Sequence, residues 1–443
     1  METLSQAVTW ASNAVWGPWT VALLLGTGLF LSIRFRFVQV THLRRAIAGL
    51  RFRGKAATGG VLTPFQAFTT SLAGSVGTGN IAGVATAVVS GGPGAVFWIW
   101  AYGFFAAAIK FAEAVLGLKY RQTGEGTFSG GPMRYLEHGL GSPGLAKLYG
   151  LVAGVAALTT TPFTQPNSIA VVFQDQLGVA PWATGIALAV LTFVVVVGGV
   201  ASIGKAAEKL APTMVGLYLV GGLVVLATHF GEVPGVFALI FREAFSLESA
   251  GGGAAGVGMM LAVRYGLARG IYANEAGYGT AAVAYATARS DRPVNQGLAA
   301  VLEVFIVSFV TSSVSALTIL ASGVWQSGAK STALVAAAFD TAIPGGGYLV
   351  ALSALLFGYT TLTGWSWYGE QFLQYLFGRR IVQPYRWVFC ALIVFGATSR
   401  VELVWAWGDL MNGLQIFPNL IGLLGLSAVV ARELRRESEA ASP

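Results

Sequence analysis

The chain has 443 residues, 55% of them hydrophobic and only 10% charged, where a soluble protein carries roughly 25% charged residues. So little charge cannot cover a globule of this size in water, which excludes a soluble fold and leaves lipid as the solvent. The single cysteine, Cys390, excludes a disulfide framework and a thiolate metal cluster.

The N-terminus, METLSQAVTWASNAVW, lacks a basic leader and a small-residue cleavage site, so the first helix is expected to stay as an anchor. A spanning helix needs about 20 apolar residues. Eleven such stretches follow in order, at 15–34, 64–90, 94–118, 147–173, 181–203, 207–229, 254–287, 294–322, 346–377, 384–400 and 403–431. The stretches 233–245 and 331–342 are shorter and amphipathic, and read as helices lying on or near the surface.

The loops carry the orientation, because Lys and Arg accumulate on the cytoplasmic side of membrane proteins. Arg34, Arg36, Arg44, Arg45, Arg51, Arg53 and Lys55 follow the first stretch, and Lys119, Arg121, Arg134 and Lys147 follow the third. Later alternate loops hold Lys205 and Lys209, then Arg289 and Arg292, then Arg379, Arg380 and Arg386, and the tail holds Arg432, Arg435 and Arg436. The opposite loops hold only Arg242, Lys330 and Arg400. This asymmetry predicts an N-terminus outside and a C-terminus in the cytoplasm. It also explains the net charge of +8 by an anionic leaflet of the cell membrane, without nucleic acid.

With the first stretch set aside, ten remain and divide into five plus five. The first half opens on 64–90, containing Ala73-Gly-Ser-Val-Gly-Thr-Gly-Asn-Ile-Ala-Gly83. The second opens on 254–287, containing Arg269-Gly-Ile-Tyr-Ala-Asn-Glu-Ala-Gly-Tyr-Gly-Thr280. Glycine costs about 1 kcal/mol per residue in a helix interior, so both stretches are expected to unwind. Unwinding frees backbone N–H and C=O groups that lipid cannot satisfy, so they must meet a ligand, an ion or water. Two halves of opposite orientation, each opening with an interrupted helix, are the pattern of inverted-repeat secondary transporters. The predicted fold is therefore an all-α polytopic membrane protein with one extra N-terminal helix and a 5+5 inverted-repeat core. Its predicted segments are 1–62, 63–230, an external connector 231–253, 254–431 and a cytoplasmic tail 432–443.

At these stretches the sequence resembles the alanine or glycine:cation symporter family, the sodium:alanine symporters. The pieces are GSVGTGNIAGVATA at 74–87, GGPGAVFWIW at 91–100, KFAEAVLGLKYR at 110–121, GGPMRYLEHGLG at 130–141, ARGIYANEAGYGTA at 268–281 and GWSWYGEQFLQYLFG at 364–378. The family is similar to the amino-acid–polyamine–organocation superfamily, whose core is a five-plus-five inverted repeat. Departures lie beside the breaks. Gln165-Pro-Asn-Ser168 stands where the family has Gln-Ala-Asn-Ser, Phe305-Ile-Val-Ser308 where it has Phe-Ile-Asp-Thr, and Gly-Tyr-Gly-Thr280 where many members have Gly-Met-Gly-Ser. Pro162 and Pro166 are expected to kink their helix.

The backbone N–H groups of Thr78, Gly79 and Asn80 are candidates for a substrate carboxylate, with the Asn80 amide beside them. The resemblance places Gln165 against substrate. Tyr272, Ala273, Asn274 and Gly277 would line the second break, and Trp365 would wall a pocket of alanine or glycine size. The carbonyls of Ala73 and Val76 with the hydroxyls of Thr360 and Thr361 are the candidate sodium site, on the two helices between which related proteins hold sodium. Among the ionisable residues inside the spans, Lys110 and Glu113 are three apart and are expected to pair. Arg269 and Glu275 flank the second break as a tie or gate, and Glu303 is the candidate coupling carboxyl. The predicted function is symport of a small neutral amino acid with sodium, with no other cofactor. Proton coupling or exchange of another zwitterion is the alternative. Without a metal cluster, nucleophile turn or phosphate loop, an enzyme or a channel is remote.

Overall fold

A computed structural model of the chain describes residues 2–49, 60–124, 127–246 and 257–440. Arg51, Arg53, Lys55 and the start of the stretch 254–287 lie outside them. Apart from one hairpin pairing Gln122–Gly124 with Thr127–Ser129, the described chain is helical. In chain order the main helices are α1 (Glu2–Val15), α2 (Pro18–Arg34), α3 (Pro64–Ser75), α4 (Ala82–Gly91), α5 (Ala95–Lys119), α6 (Pro143–Thr159), α7 (Thr161–Leu177), α8 (Pro181–Val197), α9 (Gly199–Thr228) and α10 (Val233–Ala244). There follow α11 (Val257–Asn274), α12 (Thr280–Ala286), α13 (Pro293–Ala321), α14 (Ser331–Asp340), α15 (Gly346–Phe377), α16 (Val382–Thr398), α17 (Val401–Gly425) and α18 (Ser427–Ala440).

Among the described residues, six helical stretches are long and apolar enough to cross a membrane, and three bent pairs pass together. The pairs are α1 with α2, α3 with α4, and α17 with α18. The predicted stretches 181–203 and 254–287 are also helical, as α8 and as α11 with α12. Large apolar side chains such as Val190, Val194, Val220, Leu223 and Phe395 stay exposed around the outside, which suits contact with hydrocarbon. The protein is an integral, multi-pass membrane protein.

Local chemistry sets the helix starts. Proline occupies the first turn of α2, α3, α6, α8 and α13, where its missing N–H has no intrahelical partner to lose. Thr63 and Gln66 close a reciprocal capping box on α3. Pro162 falls in the first turn of α7, so the long helix from Pro143 breaks at Thr160, just ahead of it. Pro166 is accommodated inside α7.

Several expectations change. The chain is helical from Glu2, ahead of the first predicted stretch, and Trp16 Nε1 donates to the Asp409 carbonyl at 2.9 Å, which ties this segment to α17. The break expected near 204–206 falls at Gly198–Gly199, where Gly199 has φ +66°, so Lys205 and Lys209 lie within the first turns of α9. The segment 331–342 does not lie on the surface: most of α14 is buried against α15, α7 and α4. Its alanines and Ser331 and Thr332 are small enough to be enclosed, and Thr332 Oγ1 donates to the Ser168 carbonyl at 2.6 Å. The segment 233–245 is amphipathic as expected, with Val236, Ile240 and Ala244 buried on one face. The tail is a helix, α18, set at 54° to α17. Its Glu433 reaches Lys119 at 2.8 Å, and its Glu437 meets Arg45.

Close helix packing rests on glycine. A Cβ at Gly117 of α5 would sit 2.3 Å from the carbonyl oxygen of Ala282 in α12 and 2.5 Å from its Cα. Gly117→Val should therefore force the two helices apart and destabilise the fold by about 1–3 kcal/mol. Gly216→Ala, where nothing lies within 4 Å, should keep stability or raise it by up to about 1 kcal/mol, the helix-propensity gain of Ala over Gly. Thermal unfolding of the two variants in detergent checks the contrast, and equal melting temperatures would refute the packing account.

Candidate functional site

The first break opens where α3 ends. Val76 leaves the helix at ψ 72°, Gly77 is extended, and Thr78–Asn80 form one tight turn before α4. The two halves are bent by 54°. This backbone is pressed against its neighbours: a Cβ at Gly77 would lie 2.6 Å from Thr361 Oγ1, and one at Gly79 would lie 2.6 Å from the Tyr272 ring. The second break follows Asn274. Glu275, Gly277 and Gly279 have φ of 58°, 100° and 87°, and α12 starts at Thr280. Glycine takes this left-handed region freely. Glu275 takes it at a cost of about 1–2 kcal/mol, and its carboxylate accepts the Trp365 indole N–H and, at 2.7 Å, the Thr280 hydroxyl.

Lys110 and Glu113 do not pair with each other, against expectation. Each meets freed groups at a break, where it satisfies what a pair would leave bare. The Lys110 ammonium donates to Ser75 Oγ at 2.7 Å, the Asn274 carbonyl at 2.6 Å and Glu303 Oε1 at 2.6 Å. Glu113 Oε1 accepts the N–H groups of Gly277 at 2.8 Å and Gly279 at 3.0 Å, and the Asn419 amide at 2.7 Å. Glu303 also accepts from Ser75 at 2.6 Å and Tyr285 at 2.8 Å. Nor do Arg269 and Glu275 tie the break to each other. Arg269 holds Asp409 of α17 in a two-pronged bond at 2.7 and 2.6 Å, the fork geometry that suits a carboxylate.

Between the breaks lies a small cavity of about 10 Å³, room for roughly one water molecule. Gly74, Ser75, Gly77 and Gly79 give it a backbone wall, and Gln165, Tyr272, Glu275, Thr361 and Trp365 face it from other helices. Thr161, Tyr278 and Asn412 complete the lining and were not among the expected residues. Asn412 was detectable by the reasoning that found Gln165, since both are amides inside an apolar span. Thr78 stands behind the wall, with its N–H and hydroxyl both donating to Gln165 Oε1 at 2.9 Å. Asn80 turns away from the cavity: its amide donates to the Ser75 carbonyl at 2.9 Å and accepts from Thr311 and Ser312. Asn274 likewise faces inward to Ser308 and the Ala276 N–H. Ala273 packs in the core, and Gly277 is held by Glu113 and Asn419. These four polar or small residues fasten the breaks rather than line the cavity.

Three of the four expected cation ligands converge. Thr361 Oγ1 reaches the Ala73 carbonyl at 2.9 Å and the Gly74 carbonyl at 3.1 Å, and Thr360 Oγ1 lies 3.4 Å from the Ala73 carbonyl while bonding the Leu356 carbonyl at 2.9 Å. Val76 is buried one turn on. Arg269, stacked over Trp405 at 4.5 Å, and Tyr272, 5.1 Å from the same indole, form a wall beside the cavity. Beyond it is a wider cleft whose lining includes Arg264, Lys330 and Glu402.

The model of the sodium:alanine symporter family matches residues 1–441. The chain is 40% identical to the sodium/alanine symporter AgcS of Methanococcus maripaludis, over 98% of this chain and 97% of that protein. It is 34% identical to a probable sodium/glutamine symporter, GlnT of Bacillus subtilis, over 98% of this chain and 91% of that one. In fold it is similar to MhsT, solved in complex with L-phenylalanine, with a TM-score of 0.61 at 14% identity, covering 87% of this chain and all of that one. A Na+-coupled sialic acid symporter aligns with a TM-score of 0.52 at 11% identity, over 95% and 86% of the two chains. The chain belongs to the sodium:alanine symporter family.

Proposed function

We propose that the protein imports a small neutral amino acid, alanine or glycine, together with sodium by alternating access. The observation that carries this reading is the narrow cavity between two helix breaks, with glycine backbone on one side and Trp365 and Tyr272 on the other. The space is closed to about the size of one water, so binding would part its walls, and the bulk of Trp365 and Tyr272 favours a methyl-sized side chain over a larger one. The amino acid's carboxylate would lie along the backbone of Gly77–Gly79 with the Gln165 amide, and its ammonium would face Glu275. Sodium would take the carbonyls of Ala73 and Gly74 with the hydroxyls of Thr360 and Thr361, hard oxygen donors of the kind freed carbonyls supply in such folds. The halves 63–230 and 254–431 would be the moving repeats. The N-terminus would face outward, with the Arg269–Asp409 wall on the external side of the cavity, and lipid contact would be general rather than specific.

Glu303 does not line the cavity, and its oxygens are taken by Lys110, Ser75 and Tyr285. This geometry favours sodium over a proton carried by Glu303. In proteoliposomes an inward sodium gradient should drive uptake of labelled alanine, and an equal potassium gradient should not. Uptake indifferent to sodium and driven by a pH gradient would overturn the sodium reading.

Thr361→Val keeps the shape and removes the hydroxyl. It should raise the sodium concentration for half-maximal uptake about tenfold, the effect of about 1.5 kcal/mol for one lost polar ligand, whereas Thr361→Ser should stay near wild type. Trp365→Ala should weaken alanine about tenfold or more and let leucine or valine compete, since each methylene of pocket fit is worth about 1–3 kcal/mol. Unchanged selectivity in competition assays would remove Trp365 from the pocket.

A further inference from the structure

Lys110 is fully buried, yet it sits where a free cation would bind. Its ammonium has three oxygen partners at 2.6–2.7 Å: Ser75 Oγ, the Asn274 carbonyl and Glu303 Oε1. Ser75 is the last residue of α3 and Asn274 the last of α11. The C-terminal ends of both interrupted half-helices, each bearing partial negative charge, thus converge on one ammonium group. The side chain that carries it comes from α5, outside either break. Ser75 in turn touches the substrate cavity.

We infer that Lys110 is a tethered cation filling the place of a second transported ion between the two breaks, so that this protein moves one sodium per amino acid, bound at Thr361 and the Ala73 and Gly74 carbonyls. Glu303 is the counter-charge of that tethered cation. A covalently attached ammonium holds the two helix ends together without being released on either side of the membrane. The inference rests on the sodium-symport reading above.

Two measurements test it. In proteoliposomes with wild-type protein, the membrane voltage at which net alanine flux vanishes, read against known sodium and alanine gradients, gives the coupling ratio. One sodium per alanine is expected, and two would overturn the inference. Lys110→Met leaves the Glu303 carboxylate and the helix ends without their cation. This variant should acquire a second sodium requirement, so that uptake changes from first-order to second-order in sodium. Adding Glu303→Gln to it should remove the second-order behaviour. First-order uptake by Lys110→Met at wild-type rate would show the ammonium to be ordinary packing. Where that variant is stable but does not transport, sodium should raise its melting temperature more than it raises that of wild type, and an equal or smaller rise would count against the inference. If Lys110→Met does not fold, a wild-type coupling ratio of two still overturns the inference, and the conservative Lys110→Arg, which keeps the cation, should keep first-order sodium dependence, with second-order dependence counting against it. Absence of any sodium-driven amino-acid uptake by wild type would instead sink the symport reading, a result distinct from a ratio of two.

Discussion

Everything at the centre of this molecule depends on satisfying backbone groups that the two helix breaks set free inside an apolar bundle. Lipid and apolar side chains offer no hydrogen bonds, and each unmet group would cost several kcal/mol. The protein answers with a single helix, α5, which sends opposite charges to the two polarities of broken helix. Lys110 meets the carbonyl end at Asn274, and Glu113 meets the N–H groups of Gly277 and Gly279. Once those groups are held, the second break is a fixed object. In the first break, Gly74, Ser75, Gly77 and Gly79 are the residues that face the cavity.

This division of labour explains why the two breaks differ. The second is closed by protein groups: Glu113, Lys110, Asn274 and Asn419 fill its donors and acceptors. The first is held by side chains, two of which line the cavity themselves: Gln165 of α7 takes the Thr78 N–H and Thr361 of α15 donates to the Ala73 and Gly74 carbonyls, with Asn80 beneath. On the function proposed above, a substrate carboxylate would compete with the Gln165 oxygen for the Thr78 N–H. The Thr78 N–H and the Ala73 and Gly74 carbonyls thus find partners within the protein, which spares the desolvation cost of bare backbone at membrane depth.

Much of this was legible in the sequence. Composition required lipid, glycine clustering located both breaks, and the charge pattern grouped loops that do meet at one end, as Lys119 and Arg45 do with the tail. The mid-span amide Gln165 and the threonine pair were readable because polar groups in apolar helices need a reason. The pairings were not readable. Lys110 and Glu113 look like a local pair at helical spacing, and only the three-dimensional convergence of α3, α11, α12 and α13 shows that each has a better partner. The same holds for Arg269, whose partner Asp409 lies 140 residues away, and for Asn80, which sequence placed at the ligand and the fold turned toward α13. The burial of α14 was hidden because small residues suit a membrane surface and an enclosed site equally well.

Gly117 carries a mechanical consequence. Its backbone rides against Ala282 with no side chain between them, while Lys110 and Glu113, about one to two turns earlier on the same helix, clamp it to the same break. Contact at that range leaves no clearance for sliding or shear, so α5 and α12 must turn as one lever. Any rocking of the bundle has its pivot elsewhere, and the left-handed Gly199 between α8 and α9 is a joint where backbone torsion can absorb such a rotation without breaking a helix.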